Sequence, residues 1–216
     1  MKKEVSFIRA RGEEKKEIRR QQIVDAAAAL YAEVGYDKVT FSKIGRKVSF
    51  TRLNLYNYYQ CKEDIFLTLL LQDRWNTLED AQKTFSGAVT DRDAFCLAWA
   101  KMLLRHQRMM ALFSIVNTVI LKDASSEMHR RFRVEMRQAS HELITLAQKL
   151  FPKFTPEQAY LFVDCVTGYA LTLYPASLEY KNRMHIEVFQ DPVWGSRDFV
   201  SQYVTFLKVL LNGLEK

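Results

Sequence analysis

An all-α fold is predicted for this 216-residue chain from three observations. Seven glycines and four prolines are too few for the many turns of a sheet protein. Apolar residues recur at helical spacing in one segment after another, and no period-2 alternation stands out. Residues suited to starting and stopping helices bracket those segments. Hydrophobic residues make up 48% of the chain, which supports a core and argues against disorder. The expected organisation is a small three-helix domain, residues 1–62, ahead of a larger helical domain, residues 63–216, with about nine helices in all.

Residues 14–34 place Ile18, Ile23, Ala26, Ala27, Leu30 and Tyr31 at helical spacing, and Gly35 stops them. Thr40 opens a short helix over 41–48 with Phe41, Ile44 and Val48 inward, and Thr51 is a natural cap for another over 52–58. Lys62 to about Phe85 is long and amphipathic and ends at Ser86-Gly87. Asp91 caps residues 91–108. Residues 109–121 are apolar almost all round, which predicts a buried helix. That run is too short to span a bilayer and contains Ser114, Asn117 and Thr118. Residues 126–150 form a long helix, basic on one face. Thr155-Pro156-Glu157-Gln158 is a strong start for a helix that runs to about Leu173, before Pro175. Residues 176–195, with Asp191-Pro192 and Gly195, read as a long connection, and Ser196 caps a last helix to about Leu211.

Charge is distributed unevenly. Of the net +7, residues 1–62 carry 14 Lys and Arg against 7 Asp and Glu, while the remainder carries 18 of each. A polyanion is therefore the natural partner of the N-terminal end. The segment from Met1-Lys2-Lys3 to Arg9-Ala10-Arg11 reads either as an arm for phosphates or the minor groove, or as a solvated tail. Cys61, Cys96 and Cys165 are odd in number and lack metal-ligand spacing, so no metal or other cofactor is expected and a reducing compartment is. Met1–Lys16 has no apolar core, so no secretory signal is expected, and a cytoplasmic protein without a membrane partner is.

Two short helices joined by a tight turn over residues 40–58 form a helix-turn-helix, whose second helix is suited to a DNA major groove. In residues 52–58, Leu55 faces inward with Tyr59 one turn later, and Arg52, Asn54, Tyr56 and Asn57 face outward. Arginine pairs bidentately with guanine and asparagine with adenine in that groove. The candidate DNA-contacting set is Thr40, Lys43, Thr51, Arg52, Leu53, Asn54, Tyr56, Asn57, Tyr58 and Lys62.

Ile23, Ala26-Ala27, Gly35-Tyr36, Thr40, Ile44, Leu55-Tyr56-Asn57-Tyr58-Tyr59 and Lys62-Glu63-Asp64 give residues 20–66 an ungapped resemblance to the DNA-binding domain of tetracycline-repressor (TetR) type regulators. The resemblance implies phosphate contacts from Thr40, Arg52, Tyr56 and Lys62, with Asn54 and Asn57 facing the groove. It also implies a homodimer on a two-fold DNA operator and an unidentified small-molecule inducer. Three positions depart from the family pattern: Gly45 for the usual alanine, Ser49 for the usual turn glycine, and Leu53 for a usually small residue.

In the larger domain, Ala159, Val163, Val166, Ala170 and Leu173 repeat at 4-3-4-3 spacing, and Phe199, Tyr203, Phe206 and Leu210 form a similar stripe. These are the expected dimer contacts, or alternatively faces turned to the domain's own core. Trp99, Met102, His106, Phe113, Asn117, Phe132, Met136 and Tyr169 are the candidate ligand contacts, with ordinary core packing the alternative for each. Cys61 at the start of helix 62–85, beside Lys62, offers a redox-sensing alternative. A helical enzyme and a partner-binding scaffold are the other readings. No carboxylate pair or Cys-His pairing supports the enzyme, for which His106 or His141 would be the only foothold.

Overall fold

Polar side chains start the helices where the sequence places them. Thr40 and Thr51 accept hydrogen bonds from the amides three residues on, at 3.2 Å each, and Asp91 accepts one from Ala94 at 3.0 Å. Thr155 and Gln158 form a reciprocal capping box, at 2.8 and 3.2 Å. The computed structural model describes residues 2–183, 186 and 198–214, setting aside the side chains of residues 2–11 and of Arg52. Among these residues it has nine α-helices and no strand. They are α1 (Lys2–Val34), α2 (Phe41–Lys47), α3 (Arg52–Leu55), α4 (Lys62–Thr84), α5 (Arg92–Arg105), α6 (Gln107–Ser114), α7 (Ser126–Leu150), α8 (Pro156–Arg183) and α9 (Phe199–Leu214). A 3-10 turn, Ile120–Lys122, lies between α6 and α7.

Several boundaries differ from expectation, each for a physical reason. The basic N-terminal segment continues α1 back to Lys2. It is rich in Lys, Glu and Arg, has no proline, and its one glycine, Gly12, meets no neighbour. Ile18, read as inward, is 53% exposed. The chain breaks helix at His106, whose imidazole lies 2.8 Å from Asp80, so the expected helix 91–108 becomes α5 and the start of α6. The expected buried helix 109–121 ends at Ser114, and Asn117, Thr118 and Val119 are exposed. Pro175 lies inside α8 and does not end it. Proline costs a helix about 3 kcal/mol. Here Leu173 and Tyr174 are buried beside it, with the Tyr174 ring edge-on to Phe199 and its hydroxyl 3.2 Å from Gln107. That packing holds the helix through the proline. The cap of α9 is Asp198, which accepts from the Ser201 amide at 2.9 Å; the expected cap Ser196 lies outside the described residues, as does most of the expected connection before it.

The chain divides into two compact units, Met1–Leu69 with Thr118–Phe132, and Leu70–Asn117 with Arg133–Lys216. The expected boundary at 62/63 thus moves into α4. The first turns of α4 are tied to the segment before α7: the Ser125 amide donates to Asp64 at 2.9 Å and the Cys61 thiol to the Asp123 carbonyl at 3.4 Å. In the first unit α1 packs on α2 and α2 on α3, around Ile23, Ala27, Val39, Ile44, Leu55 and Phe66. The Tyr36 and Tyr31 rings pack edge-on against Phe66. In the second unit α5 packs on α9, and α8 packs on both α6 and α9. Phe85, Phe95, Trp99, Phe151, Phe154 and Phe162 form one aromatic cluster in its core, with neighbouring centroids 4.8–6.1 Å apart. By length and composition α8 could cross a bilayer, but its stripe from Ala159 to Leu173 is buried among these helices.

Candidate nucleic-acid interface and ligand cavity

The turn of the helix-turn-helix is built by backbone rules that the sequence obeys with one exception. After α2 the Ser49 amide bonds to the Arg46 carbonyl at 3.2 Å and the Phe50 amide to the Gly45 carbonyl at 2.8 Å, a Schellman closure. That closure needs a left-handed residue, and Ser49 supplies it at φ 57°, where glycine is favoured. Ser49→Gly is therefore expected to stabilise the first unit by about 0.5–1 kcal/mol after glycine's extra chain entropy is counted. Urea unfolding followed by circular dichroism checks this; no gain would mean that the serine is unstrained there. Gly45 has a different reason. A Cβ there would stand 3.0 Å from the Phe50 carbonyl oxygen and 3.1 Å from Leu55 Cδ1. The departure from alanine lets α2 close on Phe50 and on Leu55 of α3.

Leu55 is fully buried and seats α3. The helix covers four residues instead of the seven expected. The chain then tightens, with the Asn57 amide bonding to Asn54 and those of Tyr58 and Tyr59 to Leu55, at 3.3, 2.9 and 3.0 Å. Opposite Leu55, Leu53 is 77% exposed, and Thr51, Asn54 and Asn57 are exposed with it. Tyr56 is half-exposed and its ring leans on Phe41, centroids 5.0 Å apart. Tyr58 is half-buried and stacks on Phe50 at 6.0 Å, with the Arg19 guanidinium 5.2 Å from the Phe50 ring centre. The Arg52 side chain lies outside the described residues. Thr40 is exposed at the start of α2. Lys43 reaches the Lys38 carbonyl at 2.8 Å. Lys62 lies over the Tyr36 ring at 4.3 Å and within 3.4 Å of the Val39 carbonyl. Arg46, exposed in the last turn of α2, is a further cation that the sequence reading passed over; its spacing two residues beyond Ile44 was the available sign.

The geometry disfavours the redox reading of Cys61. The thiol is half-buried and donates to Asp123, and burial pushes it up to about 12, against the low value a sensor thiol needs. The charges of Asp64 and Glu63 nearby push the same way, opposed by a hydrogen bond from the Asp64 backbone.

A cavity in the second unit is bounded by residues of α4, α5, α6, α7, α8 and α9. Of the candidate ligand residues, Trp99 and Met102 line it. His106 is paired with Asp80, Asn117 accepts from Arg133 at 3.2 Å, and Tyr169 stacks on Phe206 at 4.1 Å. Phe113 and Met136 are half-buried away from the cavity lining, and Phe132 belongs to the core of the first unit. The lining residues the sequence reading passed over are Arg74, Thr77, Leu78, Val166 and Tyr203 among others. Arg74 had a visible sign: it stands in the α4 stripe Leu67, Leu71, Arg74, Leu78, Ala81, where every other member is apolar. Asp80, by contrast, points away to Arg105 and His106; hydrogen bonds from Arg105 above all hold its carboxyl down to about 2.

The expected dimer stripes are largely covered by the chain's own helices. Ala159, Val163, Val166, Ala170 and Leu173 are buried, as are Phe199 and Tyr203, and the Tyr203 hydroxyl donates to the Val166 carbonyl at 2.7 Å. Phe206 and Leu210 are half-buried. On the outer side of the same two helices, Leu161, Cys165, Gly168 and Thr172 follow one another at 4-3-4 spacing, and so do Gln202, Phe206, Val209 and Gly213. None of these eight is buried, and Val209 is 68% exposed.

Comparison with known proteins adds independent findings. Residues 71–216 match the family described as "Tetracyclin repressor-like, C-terminal domain", and residues 23–69 match "Bacterial regulatory proteins, tetR family". The chain is 29% identical over 80 residues to the fatty acid metabolism regulator protein of Bacillus subtilis, covering 37% of this chain and 41% of that one. It is 33% identical over 55 residues to the HTH-type transcriptional repressor Rv1474c of Mycobacterium tuberculosis, covering 26% and 29%. The matches thus span less than half the length of these relatives. A TetR-family regulator from Pectobacterium atrosepticum has a similar fold, with a TM-score of 0.64 at 19% identity, over 93% of this chain and 95% of that one.

Proposed function

The chain belongs to the tetR family of bacterial regulatory proteins, and from that premise we propose a DNA-binding transcriptional repressor that acts in the cytoplasm as a homodimer and is released from its operator by a small molecule. The observation that carries the DNA-reading part is the exposed edge of Leu53, Asn54 and Asn57, held outward by buried Leu55 in the part of the chain that accounts for the whole net positive charge. Asn54 and Asn57 are the base-reading groups, Leu53 meets a thymine methyl, and Thr40, Lys43, Thr51, Arg52, Tyr56, Tyr58 and Lys62 position the phosphates. Lys62 does so from a fixed place, since the Tyr36 ring and the Val39 carbonyl already orient its ammonium.

One such reader covers only a few base pairs, so two copies are needed, with readers about 34–36 Å apart. The outer faces of α8 and α9 supply the joint, where Gly168 and Gly213 let two backbones approach. A ligand in the cavity favours the dimer state whose readers no longer match the operator, a population shift that needs a coupling of about 1–3 kcal/mol.

Gel shift with DNA flanking the gene, run at several salt concentrations, tests the reading. Binding should fall by about a thousandfold between ~50 and ~200 mM salt if about six phosphates are neutralised. Tyr56→Phe should weaken all fragments alike, whereas Asn57→Ala should relax choice at one base pair by about 1–3 kcal/mol. No shift of any fragment at low salt would overturn the DNA role.

A further inference from the structure

We propose that the cavity of the second unit takes a small apolar acid, its carboxylate paired with the Arg74 guanidinium and its tail among the methionines; this rests on the ligand-responsive reading above.

Arg74 is only 6% exposed and lines the cavity. Its Nε is sealed from solvent with no hydrogen-bond partner, and among the described residues the guanidinium makes no hydrogen bond or ion pair. A buried charge without a partner is strongly unfavourable, and arginine does not escape by losing its proton. Burial alone lowers it to about 10, with no acid opposing the shift. The acids of its own helix are engaged elsewhere. Asp73 is held by Arg108 at 2.7 and 2.8 Å, Asp80 by Arg105 and His106, and Glu79 by Lys83. Thr77 donates to the Asp73 carbonyl at 2.7 Å.

A second donor faces the same space. The Trp99 indole N–H is sealed and lacks a partner of hydrogen-bond geometry, although the Tyr203 hydroxyl is near enough to interact with it. That hydroxyl gives its own proton to Val166. Two buried donors, one of them charged, therefore converge on a cavity whose other walls include Leu78, Met102, Met109 and Leu143. What the site lacks is an anionic acceptor. The open space, about 30 Å³, admits a group of a few atoms. A tail enters by displacing Met102 and Met109, the most adaptable of the lining side chains.

The test uses the full chain with three probes: octanoate, octan-1-ol and inorganic phosphate. Calorimetry should show octanoate binding at least about tenfold tighter than the alcohol, as a charge-assisted pair in a dry site requires, and phosphate should not displace it. Arg74→Met should remove that preference while raising the melting temperature of the ligand-free protein, because it deletes an uncompensated buried charge. Arg74→Lys should retain part of the preference. Equal binding of acid and alcohol by the natural chain overturns the proposal, as does an Arg74→Met protein that melts lower and discriminates as before. Displacement by phosphate would overturn the apolar acid as ligand. Gel shift separates the two readings: operator binding that octanoate leaves unchanged sinks only this inference, whereas octanoate binding without any operator binding sinks only the DNA role.

Discussion

Leu55→Ala should cost the first unit about 3 kcal/mol and abolish DNA binding, the largest effect expected of any single change in the reader. Leu55 is fully buried, and its side chain is the surface on which Gly45 closes, so its loss leaves a void between α2 and α3 that neither helix can fill. Helices this short have little stability of their own, so α3 depends on that contact for its direction. Leu53 is the control. It lies two residues away and is 77% exposed, so Leu53→Ala should change stability by less than about 0.5 kcal/mol and affect only DNA affinity. Urea unfolding of both variants, with gel shifts alongside, decides the matter. Equal loss of stability in the two would mean that α3 is seated in some other way.

If the outer faces of α8 and α9 form the proposed joint, Val209→Arg should yield a monomer and lower operator affinity by at least about a hundredfold. Val209 is the most exposed apolar residue of α9, and it sits in the outer stripe with Phe206 and Gly213 on a helix packed against α8. A charge placed in the centre of a two-fold joint meets its own copy and cannot be solvated. A monomer then reads one half-site alone. Leu173→Arg gives the contrast. Leu173 is buried among the chain's own helices, and the same substitution there should unfold the second unit. Sedimentation equilibrium separates the outcomes: a dimer that survives Val209→Arg would place the joint elsewhere.

Much of the fold was legible because its signals are local. Thr40, Thr51, Asp91 and the Thr155–Gln158 box cap helices through bonds that span three residues, and the turn at Ser49 closes within five. The reader was legible for the same reason, since Leu55 inward and Asn54 and Asn57 outward follow from helical period alone. The cavity was not. Trp99 and Met102 were found by residue type, but Arg74, Thr77 and Tyr203 come from helices more than a hundred residues apart in sequence.

The amino-acid sequence alone determined the helical class, the exposed edge of Leu53, Asn54 and Asn57 over buried Leu55, and the net positive charge of the first 62 residues. Periodicity announces that α8 and α9 carry apolar stripes but cannot say what covers each one. Only the tertiary structure decided that the Ala159-to-Leu173 stripe closes on the chain itself, that packing at Tyr174 carries α8 past Pro175, that burial pushes the Cys61 thiol up, and that Arg74 has no counter-charge. Each depends on what long-range packing brings near a side chain, and local sequence rules do not reach that far.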